Sequence, residues 1–159
     1  MLFLTVGHQT PFDRLVQWMD RWAAQHNRTD IFAQIGAGDY LPKSFPYERF
    51  ISPDLFNAKI TEASAIVGHA GTGTIIAAVQ HHKPLLVVPR LASLNETRND
   101  HQLATVRHFV SAGYMLAADS EPELHKQLAL LPSFQPTASI DGAASPELLH
   151  RLRDFIATS

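Results

Sequence analysis

Cysteine is absent from the chain, which removes disulfides, thiolate nucleophiles and cysteine-based zinc sites and leaves the compartment open. No dense run of Lys or Arg occurs and the formal net charge is -2, so nothing points to nucleic acid as a partner. Long apolar runs are missing too: no stretch approaches the ~18 residues that a bilayer span needs. The apolar start, Met1 to Gly7, is short for a signal-peptide core and lacks a basic lead-in. A cytoplasmic protein is therefore expected, with any membrane role coming through a partner or a surface helix. Three catalytic signatures are also absent: the Gly-x-Ser-x-Gly of serine hydrolases, the His-Glu-x-x-His or His-x-Glu of zinc enzymes, and the Gly-Lys-Ser/Thr of a Walker loop. Nine histidines are present, but none stands at zinc-binding spacing, and no metal site is expected.

What is present is the balance of a globular protein: 159 residues, 45% apolar and 18% charged. A chain of this size buries about two-thirds of its unfolded surface as one domain. Short apolar runs alternate with segments of helical spacing. Leu2 to Val6 reads as a strand buried on both faces; Thr10 and Pro11 read as the N-cap and first residue of a helix carrying Phe12, Leu15, Val16, Met19 and Trp22. Asp30 to Ile35 is a second strand and Tyr47 to Ile51 a short third. Ser52-Pro53 opens a helix, Ala65 to Gly68 is a strand, a helix runs to about His81, and Pro84 to Val88 is another buried strand. Leu91 to Asn99 is expected to be irregular. A helix from about Asn99 to Gly113, a strand Tyr114 to Ala117 and a helix from Glu121 follow. This order predicts an α/β fold, a Rossmann-like parallel sheet with helices on both faces and right-handed crossovers. The domain is expected to occupy residues 1–130, with a linker at 131–144 and a terminal helix at 145–159 that packs on the domain or docks a partner.

The chain is organised around Ala65 to Ala78, an apolar run that breaks at His69-Ala70-Gly71-Thr72-Gly73-Thr74 and resumes as a helix. Strand, glycine turn and helix in this order make an anion site: glycines admit a ligand close to the backbone, Thr72 or Thr74 can cap the helix, and the unpaired N–H groups and dipole of the first turn favour negative charge. The same spacing also fits a plain tight turn. In an open parallel sheet ligands bind beyond the carboxyl ends of the strands, which gathers Gly7 to Thr10, Gly36 to Gly38, His69 to Thr74 and the stretch from Pro89 to Gln102 at one edge. Each polar residue there has two readings. His69 either holds the turn or contacts a ligand oxygen. Asp100 either complements a helix dipole or, with Gln102, binds sugar hydroxyls. Arg90 and Arg98 are either solvated charges or partners of a phosphate or carboxylate.

The linked segments His69 to Thr74, Lys83 to Arg90 and Asn99-Asp100-His101-Gln102-Leu103-Ala104, ending at Ala112-Gly113-Tyr114, resemble the C-terminal, donor-binding half of GT-B glycosyltransferases of family 28. The match spans roughly residues 1 to 130. The start, Thr5-Val6-Gly7-His8-Gln9-Thr10-Pro11-Phe12, is similar to the stand-alone version of that half, the catalytic subunit of two-part transferases such as the dolichol-linked N-acetylglucosaminyltransferase and bacterial exopolysaccharide pairs. The wording at Arg90 and Asn99 to Gln102 is most similar to the bacterial polysaccharide subunits.

The resemblance implies an inverting transferase that passes glucuronic acid, galactose or N-acetylglucosamine from a UDP-sugar to a lipid-linked acceptor. It also implies no cofactor and a membrane-anchored, acceptor-binding partner that holds the chain at the cytoplasmic membrane. It places the donor diphosphate over Gly7, His8, Gln9 and Thr10 and over Gly71, Thr72, Gly73 and Thr74, with Asp100 and Gln102 toward the sugar. His69, Arg90 and His101 then complete the donor site. His8 is the candidate general base within this chain, a role that the partner can equally supply. Two departures stand out: Ala77 occupies the place where family members often carry a ribose-binding Glu, and His82 stands where Gly commonly precedes Lys-Pro. The missing Glu keeps a second reading open, a nucleotide-binding or regulatory module without catalysis. A sugar-nucleotide epimerase is disfavoured, since it would need a complete two-domain cleft in one chain.

Overall fold

Among the described residues the strands form one six-stranded sheet in the order β3-β2-β1-β4-β5-β6, with every neighbouring pair parallel, and strand and helix alternate except between Gln34 and Tyr47, where a loop without a helix joins two successive strands. The strands are β1 (Leu2–Thr5), β2 (Ile31–Gln34), β3 (Tyr47–Glu48), β4 (Ala65–His69), β5 (Leu85–Val88) and β6 (Leu116–Ala117). Between and after them run α1 (Asp13–Gln25), α2 (Pro53–Glu62), α3 (Thr72–Gln80), α4 (His101–Ser111) and α5 (Glu121–Leu130). The computed structural model describes residues 1–98 and 101–136, without the side chains of His101, Gln102 and Thr105. The expected terminal helix and most of the expected linker lie outside the described residues.

Period-two alternation divides each central strand between two cores. Leu2, Leu4 and Val6, with Ala65, Val67, Leu86 and Val88, pack against Leu15, Val16, Met19 and Trp22 of α1 and Leu124 and Leu128 of α5. Phe3, Ile66, Leu85 and Val87 face the other way, onto Ile60 of α2, Ile75 and Ala78 of α3, and Val106 and Phe109 of α4. Leu131 is also fully buried in the first core, and Leu131–Ser133 is a 3-10 turn. The first residues of the expected linker are thus part of the domain.

Local signals hold where the chain makes its own cap. Ser52 accepts a 3.2 Å hydrogen bond from Leu55 N and Pro53 follows as the first helical residue of α2. They fail where tertiary contacts compete. α1 begins at Asp13 rather than Pro11, with Phe12 as an N-cap that makes no side-chain bond, because both oxygens of Thr10 accept hydrogen bonds from Arg90. At α3 the N-cap is Gly71, and neither Thr72 nor Thr74 caps the helix; Thr74 is buried inside the first turn. The segment after β5 contains a 3-10 turn, Ala92–Leu94, and is tied to α1 by a two-pronged pair between Arg14 and Glu96, with both N···O distances 2.7 Å.

The loop after β2 is fixed by a buried carboxylate. Asp20 accepts from Tyr40 Oη at 2.7 Å, Ser44 N at 2.8 Å and Lys43 N at 3.0 Å. Burial alone would raise its pKa; the hydrogen bonds from Tyr40, Ser44 and Lys43 together outweigh that and hold it below the ordinary carboxylate value.

Candidate functional site

The sheet order reverses between β1 and β4, because the chain builds outward from β1 to β3 on one side and from β4 to β6 on the other. Connections diverge there and leave a crevice beyond the carboxyl ends of the two strands. A cleft of about 560 Å³ opens at that point, a size suited to a small-molecule ligand. Gly7, His8 and Gln9 line it from the loop after β1, and His69, Gly71, Thr72, Gly73 and Thr74 from the loop after β4. Arg90 reaches it from the end of β5. Among the described residues that line it, none is an Asp or Glu.

Two of the expected glycines differ in what they do. Gly71 has ordinary extended backbone, with φ -82 and ψ 141, so its conformation would suit any residue. A Cβ there would stand 2.1 Å from His69 Nε2. Gly7 combines a left-handed φ of +76 with a would-be Cβ 2.7 Å from His69 Cε1. The His69 ring is thus clasped between the backbones of the two loops and sets their spacing. Gly73 is the open one: a Cβ there would meet none of the described residues within 4 Å, and it lies one residue into α3, where the N–H groups of the first turn have no side-chain cap.

Burial, and after it the charge of Arg90, pushes the His69 imidazole down to about 4, so it is neutral at pH 7. An unfolded histidine titrates near ~6.5. Between that value and about 4 the unfolded chain holds the extra proton, so the stability present above the unfolded pKa is lost as pH falls through this window. His69→Gln is expected to flatten the acid dependence of urea unfolding there. An equally steep dependence in the variant would remove His69 as its cause.

Arg90 is 5% exposed, which excludes the reading as a solvated surface charge. Its Nη2 donates to Val6 O and Thr10 O, both at 2.7 Å, its Nη1 donates to Thr10 Oγ1, and its guanidinium lies 5.0 Å from the Phe12 ring centroid. Burial lowers its pKa to about 10, opposed by Glu96, and it stays charged at neutral pH. The charge sits in the floor of the cleft while its hydrogen bonds shape the loop after β1.

Other expected residues are placed differently. Thr10 is held by Arg90 and does not line the cleft. Gly36 and Gly38 belong to a loop fastened by Arg49, whose Nη1 donates to Gly38 O at 2.7 Å; they do not line the cleft either. Arg98 is exposed on the surface. Asp100 lies outside the described residues. His101 and Gln102 begin α4, and their side chains lie outside the description.

Sequence reasoning did not single out Thr5, Gln34, Ile51, Pro53, Phe56 and Asn57, all of which line the cleft. Thr5 and Gln34 are register partners on β1 and β2 and both are fully buried. Thr5 Oγ1 donates to Gln34 Oε1 at 2.7 Å, and Gln34 Nε2 lies 3.1 Å from His8 Nε2. A polar residue closing the otherwise apolar run Ile31-Phe32-Ala33 was the available signal. His8 itself is exposed and stacks on Phe50, with ring centroids 6.1 Å apart. Among the described residues no three side chains are grouped to hold a metal ion.

The model of the glycosyltransferase family 28 C-terminal domain matches residues 1–155. The chain belongs to that family. Within it, the human UDP-N-acetylglucosamine transferase subunit ALG13 is 30% identical over 128 residues, which cover 72% of this chain and 10% of the human protein. This family 28 domain thus spans about a tenth of the length of that curated relative. The solution structure of ALG13 superimposes with a TM-score of 0.65 at 19% identity, covering 96% of each chain. MurG from Acinetobacter baumannii gives 0.64 at 18% identity, covering 99% of this chain and 49% of that one. The fold is accordingly one half of a GT-B glycosyltransferase, as the resemblance implied, and its β1/β4 crevice is the family 28 candidate site. No helix among the described residues is long and apolar enough to cross a membrane.

Proposed function

We propose that this family 28 domain binds a UDP-sugar in the β1/β4 cleft and serves as the donor-binding subunit of an inverting glycosyltransferase whose acceptor site is on a partner protein. One observation supports this above the others: a cleft at the switch point that has a buried guanidinium in its floor, meets the uncapped N-terminus of α3 and, among the described residues, carries no acid in its lining. Such a site suits a diphosphate. Gly7, Gln9 and the Gly71 to Thr74 turn then receive the diphosphate and stabilise it as the leaving group. Arg90 acts by shaping that loop and by its charge, and Asp100, His101 and Gln102 are assigned to the sugar. The named relative makes UDP-N-acetylglucosamine the first donor to test, ahead of the glucuronic acid and galactose nucleotides. The lipid-linked acceptor and the anchoring at a membrane belong to the partner in this reading, as does the general base.

The deciding experiment is calorimetric titration of the chain with UDP and with these UDP-sugars, repeated with the partner subunit present. Stronger heat with one UDP-sugar than with UDP names the donor, and turnover on adding the partner establishes the transferase. Binding without turnover in the presence of the partner would favour the non-catalytic reading, which Ala77 in place of a ribose-binding acid keeps in play.

Gly73→Ala separates binding from folding. An alanine in the first turn of α3 meets no atom of the described residues within 4 Å and gains up to ~1 kcal/mol over glycine in a helix, yet its methyl enters the space assigned to the diphosphate. The expected result is an unchanged or higher melting temperature with UDP affinity lowered about tenfold, a loss of ~1.4 kcal/mol. Undiminished UDP affinity would move the diphosphate away from this turn.

A further inference from the structure

Three side chains at the cleft form a hydrogen-bonded series whose proton positions can be worked out from one end. Gly7 N lies 3.4 Å from Thr5 Oγ1 and can only donate to it. The single proton of the Thr5 hydroxyl goes to Gln34 Oε1, 2.7 Å away. The carbonyl end of the Gln34 amide is thereby committed, and its NH2 end faces His8 Nε2 at 3.1 Å. An amide NH2 has only protons to offer, so a neutral His8 accepts at Nε2 and carries its own proton on Nδ1. With the amide turned over, the buried hydroxyl proton of Thr5 would lose its acceptor, at the cost of an unsatisfied buried donor. Thr5 and Gln34 are fully buried and held side by side by the β1/β2 register, so neither has water to substitute for the other.

We propose that Gln34, oriented by Thr5, is a positioning residue that fixes His8 in the Nδ1-protonated tautomer, so that His8 meets a ligand in the cleft as a hydrogen-bond donor and not as a proton acceptor. The ring then has no lone pair to spare: Nε2 is occupied by Gln34 and Nδ1 holds the proton. A donor is what an anionic ligand needs, whereas the removal of a proton from an acceptor hydroxyl requires a free ring nitrogen. This assignment rests on the nucleotide reading for the identity of the ligand; the tautomer itself does not depend on it. It replaces His8 as the expected general base with His8 as a donor to the bound anion.

The test is made on the 15N-labelled chain by long-range proton–nitrogen correlation at a pH where His8 is neutral, with the His8 signals assigned by their loss in His8→Gln. The wild type is expected to show a protonated Nδ1 and an unprotonated Nε2. In Gln34→Glu the carboxylate accepts from both Thr5 and His8, and the two nitrogens are expected to exchange roles. Gln34→Met and Thr5→Val, which keep the size of each side chain without its hydrogen bonds, are expected to move His8 toward the Nε2-protonated form that a free imidazole side chain prefers. UDP affinity is read on the same samples and is expected to fall about threefold to tenfold in Gln34→Glu, as for the loss of one hydrogen bond. A wild-type His8 protonated on Nε2, or a tautomer that stays the same in Gln34→Met and Thr5→Val, would overturn the proposal. Failure of the wild-type chain to bind UDP would count against the nucleotide reading alone, since the tautomer is measured without ligand.

Discussion

Arg90→Met is expected to lower the free energy of unfolding by about 3 kcal/mol and to remove measurable UDP binding. The side chain is 5% exposed and its guanidinium supplies the hydrogen bonds to Val6 O, Thr10 O and Thr10 Oγ1. Methionine keeps the length of the stem and its contact with Phe12, but it leaves a buried carbonyl at Val6 without its donor. The loop after β1 then loses the fastening that shapes the floor of the cleft, and the floor loses its positive charge. Arg90→Lys should recover the charge without the planar fork that reaches Val6 and Thr10 together, so it is expected to regain part of the binding and little of the stability. Urea unfolding and UDP calorimetry on the two variants check this. An Arg90→Met protein as stable as the wild type within ~0.5 kcal/mol would show that the loop stands without the guanidinium.

A second large effect is expected at Gly71, and its origin is specific. Gly71→Ala should destabilise the chain by about 2 kcal/mol through overpacking, although the backbone there is extended and strain-free for an L-residue. The cause is the His69 ring, whose Nε2 would stand 2.1 Å from the new methyl. In a His69→Ala background the clash disappears, and Gly71→Ala is then expected to be neutral or stabilising by ~0.4–1 kcal/mol, the usual gain from restricting the unfolded chain. A double-mutant cycle would therefore give a coupling energy well above the ~0.5 kcal/mol of independent sites. Additive effects would mean that His69 does not set the spacing of the two loops. Gly71→Val, bulkier at the same place, is expected to weaken UDP binding chiefly by displacing His69, and only secondarily by obstructing the phosphate.

The comparison between Gly71 and Gly73 also shows how far the residues alone can be read. Most of the order of strands and helices was legible because the central strands are short apolar runs and Pro or Gly stands beside most of the helices; Ser52 with Pro53 announces α2 without help from the rest of the chain. The crevice was legible from that order, because a parallel sheet admits ligands only at one edge. The roles of individual residues there were not. Thr10 looks like a cap until Arg90, eighty positions away, takes its oxygens. Arg90 looks like a surface ligand until the packing of Phe12 beneath it is known. Gln34 looks like one polar residue at the end of a strand, and only the register that sets it beside Thr5 reveals its function. Each of these depends on pairs far apart in sequence, where local pattern has no information.

The placement of β1 has a further consequence for how the molecule comes into being. β1 precedes every other strand in the chain yet lies in the interior of the sheet, between β2 and β4. During synthesis it emerges early and can gain β2 soon afterwards, but its other edge stays bare until β4 has been made. Parallel pairings of this kind are non-local and slow to close, and an apolar strand with an open edge is a template for wrong partners. The crevice cannot exist before β4 has joined β1, so any ligand for it has no earlier species to stabilise.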